Sequence, residues 1–194
     1  MTNRITHMFS IRTKIVCALG AMVVATSAGC APDCSKYTGD LAMTLGAGRS
    51  SSSTLFAALA DGASVDLERG NQGGQHFWLV ARTSNACPAP PRVRAVLRAD
   101  DGANLGFALS EGIPWVPAPD NQLATEPLAV PIQRENICRV VYQGATLEVT
   151  ITDGSGRIVQ RSVRIAGATL SGFDPARDCA AQFPDGGTTD ASRG

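Results

Sequence analysis

The stretch Leu147-Glu148-Val149-Thr150-Ile151-Thr152-Asp153-Gly154-Ser155-Gly156 decides how the rest of the chain is read. Leu147, Val149 and Ile151 alternate with Glu148, Thr150 and Thr152, the period of a strand with one buried and one wet face. Asp153-Gly154-Ser155-Gly156 is hairpin-turn chemistry, and Val159, Val163 and Ile165 answer the apolar stripe on its far side. The same pattern recurs upstream. Ala63, Val65 and Leu67 alternate with Ser64, Asp66 and Glu68; Val93, Ala95 and Leu97 alternate with Arg92, Arg94, Val96 and Arg98. Leu105, Phe107 and Leu109 follow across Asp101-Gly102, a second hairpin signal. Phe77, Leu79 and Ala81 alternate with Trp78, Val80 and Arg82, so that strand is apolar on both faces at its centre. Ile137 to Tyr142 and Leu128-Ala129-Val130 read as weaker strands, and Pro131 demotes the second to an edge.

Seven or eight short strands separated by turn signals predict an all-β domain, an antiparallel Ig-like β-sandwich. The only helix-like window is Ser53 to Leu59, with Ser53 or Thr54 as N-cap; it reads slightly better as an irregular strand. Glu111 to Glu126 carries Pro114, Pro117 and Pro119 around Trp115 and is read as a long loop. Such a loop is either functional or a crossover between sheets whose Trp115 plugs one end of the core.

The first 29 residues have a different character. Arg4, Arg12 and Lys14 form a cationic leader without acids, and Ile15 to Ala25 is an unbroken run of apolar and small residues. Eleven residues suit the central region of a secretory signal and fall short of the roughly 20 that span a bilayer. Two cleavages fit: after Ala28, or after Gly29 to leave Cys30 first. Ser27-Ala28-Gly29-Cys30 resembles the lipobox of bacterial lipoproteins, departing from the usual pattern at Ser27, where an aliphatic residue is expected. Cysteine counting favours the second cleavage. Cys17 leaves with the leader, and acylation of Cys30 leaves Cys34, Cys87, Cys138 and Cys179, an even set for two disulfides in an oxidising compartment. Because Cys34 and Cys179 flank the strands, the expected pairs are Cys34–Cys179, clasping the termini, and Cys87–Cys138, linking the sheets. The resemblance implies a diacylglycerol on Cys30, and Ala31 in the next position points to the outer membrane.

Four segments result: a signal peptide over 1–29, a lipidated N-terminus with a Gly/Ser-rich flexible linker over 30–54, a β domain over 55–180, and a disordered tail over 181–194. The 165 residues from Cys30 onward suffice for one domain with a core. Without the leader, 14 basic residues face 17 acidic ones, a net charge of about −3, and Lys36 is the one remaining lysine. This is no footprint for nucleic acid.

Asn71-Gln72-Gly73-Gly74-Gln75-His76 is the most distinctive local sequence. The turn Gln72-Gly73-Gly74-x-His76, opening the aromatic strand His76-Phe77-Trp78, is similar to that of uncharacterised bacterial lipoproteins, and the resemblance brings no activity with it. His76 is the sole histidine after cleavage. It reads either as a metal ligand or proton carrier, or, more readily, as a side chain bonded to the glycine turn. No G-x-S-x-G elbow is present, and Ser155 lies in a hairpin turn. Carboxylates are scattered without the pattern of a sugar-hydrolysing pair. Asp100-Asp101-Gly102-Ala103-Asn104 and Asp174 to Asp178 carry oxygen ligands for calcium and fit ordinary turns better. Arg92, Arg94 and Arg98 line one strand face, with Trp115 as a further candidate contact; the stripe suits an acidic glycan or partner, or a solvated face whose stems cover Val96. The expectation is a lipid-anchored cell-envelope protein, a non-catalytic binding or structural module that meets protein or glycan and needs no cofactor. The alternatives are a small hydrolase using carboxylates and a metal-carrying protein centred on His76.

Overall fold

A computed structural model of the chain describes residues 32–48, 56–70 and 74–184. Cys30, Gln72 and Gly73 lie outside the described residues, as do the signal segment and residues 185–194. In chain order the strands are β1 (Ala42–Gly48), β2 (Ala57–Ala58), β3 (Ala63–Arg69), β4 (Gln75–Ser84), β5 (Arg92–Arg98), β6 (Asn104–Glu111), β7 (Trp115–Ala118), β8 (Gln122–Thr125) and β9 (Leu128–Ile132). Helix α1 (Ile137–Gln143) follows, then β10 (Ala145–Thr152), β11 (Ile158–Leu170) and the single-turn α2 (Pro175–Asp178).

The all-β expectation holds; the two-sheet, antiparallel arrangement does not. Hydrogen bonding runs in a closed ring of seven strands, β4-β3-β11-β10-β5-β6-β9 and back to β4. Every pairing in the ring is antiparallel except β3 with β11. Two long strands make closure possible. β11 pairs with β10 along its first half, shifts register between Ile165 and Gly167, and then pairs with β3. A bulge of this kind bends the strand and increases its twist, which a closing sheet requires. β4 pairs with β3 and β9 at its beginning, and beyond the ring it carries β1 on one edge and the β7–β8 hairpin on the other.

The period-two stripes become the barrel interior. Val65, Leu67, Phe77, Leu79, Val93, Leu97, Leu105, Val130, Leu147, Val149, Ile151 and Ile165 are all buried in one cluster. A ring of seven strands is narrow enough for side chains to fill, so the interior is a core and not a channel. Ile137 and Val140 of α1 join the same cluster and close one end of it.

Four local expectations are corrected. Residues 137–142 form α1, not a strand: Ile137, Cys138 and Val140 are its buried positions, an i, i+1, i+3 set that a short apolar run shares with a strand. The helix stops at Gly144, which has φ +68 and donates its N–H to the Val140 carbonyl at 3.1 Å. A Cβ there would strike the Ile165 carbonyl oxygen, so Gly144 sets how tightly β10 follows the helix. The supposed loop 111–126 is the β7–β8 hairpin. Asp120 and Asn121, with φ of 59 and 55, form a two-residue turn closed by Gln122 N–H on Pro119 O at 3.2 Å, the geometry of type I′. Pro117 fits because, among the described residues, β7 is hydrogen-bonded only to β8. The supposed linker contains β1, whose Met43 and Leu45 are buried, so the domain starts well before residue 55. At the other end, Phe183 rests against Tyr142 with ring centroids 5.4 Å apart, so residues 181–183 belong to the domain.

All four cysteines pair, as Cys34–Cys87 and Cys138–Cys179 and not in the expected combination. The reason is the direction of β4. Cys87 follows its end, while Cys138 sits on α1 beside its beginning, and ten strand residues span roughly 30 Å. Bridged cysteines need Cα atoms about 4.4–6.8 Å apart; the observed separations are 5.2 and 5.6 Å. The barrel thus has one disulfide at each end.

Candidate functional site

At the α1 end the chain leaves a cavity of about 620 Å³. Arg69 comes to it from the end of β3 and Gln75 from the start of β4. Arg134 and Glu135 lie on the 3-10 turn after β9, and Phe173, Arg177 and Asp178 on the segment after β11. Ile137 and Cys138 complete the wall, so the Cys138–Cys179 bridge fastens one side of the cavity. These residues meet because β3, β9 and β11 end, and β4 begins, at the same end of the barrel.

Gln75 is the unusual member. It lies in phase with Phe77 and Leu79, so its side chain points inward, and it is only 7% exposed. Its Oε1 atom has no hydrogen-bond partner among the described residues. Buried acceptors of this kind are few in folded proteins, because desolvation costs them their water. Around it the charges are unevenly matched. Arg177 holds Asp178 by two contacts, Nε to Oδ1 at 2.7 Å and NH2 to Oδ2 at 2.9 Å. That contact, with the Asp174 N–H and the more distant charge of Arg69, keeps the Asp178 carboxyl below the usual carboxylate range. Among the described residues, Arg69 and Arg134 make no ion pair.

The residues singled out by sequence lie elsewhere. His76 is on the outer face of β4, its ring edge-on to Trp78 with centroids 4.7 Å apart, and its buried Nε2 has no partner among the described residues. Trp78 donates from Nε1 to Glu68 Oε2 at 2.8 Å. Gly74 O accepts the Gly70 N–H at 2.7 Å and closes the loop into β4. No group of three His, Cys, Asp or Glu side chains gathers among the described residues. Both calcium candidates are occupied by protein contacts. Asp100 pairs with Arg164, Asp101 with Arg139 at 2.8 Å, and Asp174 caps α2.

The arginine stripe is a solvated outer face. Arg92 pairs with Glu111 across the strands at 2.9 Å, Arg98 with Glu148 at 3.0 Å, and Arg94 lies over the Phe107 ring. Val96, between Arg94 and Arg98, is 2% exposed. Trp115 is directed the other way, donating Nε1 to the carbonyls of Cys87 and Ala89 at 3.0 and 2.9 Å. It is partly buried and packs against the core.

Compared with known protein families and with curated proteins, the chain matches none. No helix among the described residues is long and apolar enough to cross a membrane.

Proposed function

We propose that this protein is an exported, lipid-anchored module of the bacterial cell envelope that binds a ligand in the cavity beside α1, without catalysis. The lipobox-like Ser27-Ala28-Gly29-Cys30, with Ala31 after it, supports a tether in the outer membrane. The observation that carries the reading is the polarity of the barrel. Cys34 is bound to Cys87 at the end opposite the cavity. Cys30 is four residues from Cys34, and four residues reach at most about 14 Å. A lipid on Cys30 therefore holds the Cys87 end against the bilayer, while the cavity opens away from it toward envelope protein or glycan. This replaces the idea of a long flexible standoff. A hydrolytic reading would rest on Glu135 and Asp178, the two carboxylates lining the cavity; Arg177 holds Asp178 ionised, which suits a base and leaves the acid role to Glu135.

The test is Cys30→Ser in the native host. The parent is expected in the membrane fraction with the added mass of acyl chains. The variant is expected in the soluble fraction, with both disulfides retained. A variant that stays equally membrane-bound would overturn the tether and with it the orientation.

A further inference from the structure

We infer that the cavity takes a small carboxylated saccharide, with Arg69 and Arg134 receiving the carboxylate and Gln75 accepting a hydroxyl proton; this rests on the cavity being the binding element. Three features define the ligand. The two guanidiniums have no ion-pair partner among the described residues, and a guanidinium fork matches a carboxylate in plane and spacing. Gln75 lines the cavity, and its buried Oε1 has no donor among the described residues. Since an acceptor is satisfied only by a donor, the ligand must bring a hydroxyl or an amine to it. Half-buried Phe173 gives an apolar wall of the kind against which sugar rings lie. A volume of about 620 Å³ is in the range of small-molecule sites.

The same features weigh against a phosphate ion. Hydrogenphosphate carries a second negative charge, which meets Glu135 and Asp178 on the cavity wall. A singly charged, polyhydroxylated acid satisfies the arginines and the glutamine together. The Arg92, Arg94 and Arg98 stripe on the outer face does not compete for this role, because two of its three members already have carboxylate partners.

The experiment titrates the purified, oxidised full chain with D-glucuronate, D-glucose and inorganic phosphate, followed by calorimetry. Glucuronate is expected to bind saturably, at least tenfold more tightly than either glucose or phosphate. Arg134→Gln is expected to weaken glucuronate about tenfold. Gln75→Leu is expected to weaken it by a similar factor while leaving the unfolding temperature unchanged or higher, since it removes an unpaired polar atom from the core phase of β4. Equal binding of glucose and glucuronate would overturn the role of the arginines. Tighter phosphate binding would make this a plain anion site and overturn the saccharide. No binding of any of the three would remove the ligand class while leaving the Cys30 tether, which is read by fractionation, untouched.

Discussion

Replacing Asp153 with Ala is expected to destabilise the domain by about 3 kcal/mol, the cost of leaving a buried N–H and a partly exposed guanidinium without their shared acceptor. The Asp153 side chain is fully buried in the β10–β11 turn. Oδ1 accepts from Ser155 N–H, the Ser155 hydroxyl and Arg157 N–H at 2.9, 2.6 and 3.0 Å. Oδ2 accepts from Cys87 N–H at 3.1 Å and from Arg157 NH2 at 2.9 Å. Arg157 passes the connection on, donating to Gly39 O at 3.0 Å and to Asn85 O. One carboxylate thus fastens the hairpin to the segment after β4 and, through its partner, to the chain before β1. Without it a buried N–H and a guanidinium lose their acceptor together. In a domain whose total stability is on the order of 5–15 kcal/mol, the loss should lower the urea midpoint severely.

The same group makes the protein acid-sensitive in a defined window. Burial raises the Asp153 pKa, but the bonds from Ser155, Cys87 and Arg157 outweigh it and bring it from 3.8 down to about 2. A pKa depressed by folding contributes stability that is complete above the unfolded value and disappears as pH falls through the folded one. That contribution is about 2 kcal/mol at neutral pH, and it should be lost between roughly pH 4 and pH 2. Asp153→Asn lacks the titration, so urea midpoints of parent and variant should converge across this interval. A constant gap from pH 6 to pH 2 would show that the carboxylate is not what titrates.

The strands were legible because their signal is local, and the closure was not because its signal is spread along the chain. Leu147, Val149 and Ile151 fix a strand within six residues, and Asp153-Gly154 fixes the turn after it. Nothing near Ile165 or Gly167 announces that β11 will shift register and pair in parallel with β3, about 100 residues earlier. Asp153 itself was readable as a turn residue, but its bond to Cys87 spans 66 positions. The hairpin at Asp120-Asn121 was hidden by its prolines, which mark loops unless a strand has a free edge. The cavity was the least visible of all. Arg69, Arg134 and Arg177 share no motif, and each is an ordinary strand-end or turn residue until the barrel closes. One clue did exist: Gln75 stands at a core-facing position of the Phe77-Leu79-Ala81 stripe, where a polar side chain needs a reason.

Removing the two disulfides one at a time is expected to give equal losses of stability with different consequences for the cavity. In the chain-entropy account the closed loop's length sets the gain. Sequence separations of 53 for Cys34–Cys87 and 41 for Cys138–Cys179 are close enough to predict the same figure for both, about 4 kcal/mol each. Their positions differ. Cys138–Cys179 ties α1 to the end of α2, and the two helices carry Ile137, Arg177 and Asp178 of the cavity wall. Cys34–Cys87 lies at the other end, beside the Asp153 network. The paired Cys138→Ser, Cys179→Ser variant should therefore expose the α1 amides to rapid hydrogen exchange and abolish glucuronate binding. The Cys34→Ser, Cys87→Ser variant, equally weakened toward urea, should leave α1 protected and the affinity intact. If both variants lost affinity to the same degree, the ends of the barrel would be coupled through the core, and the separation of an anchored end from a binding end would fail.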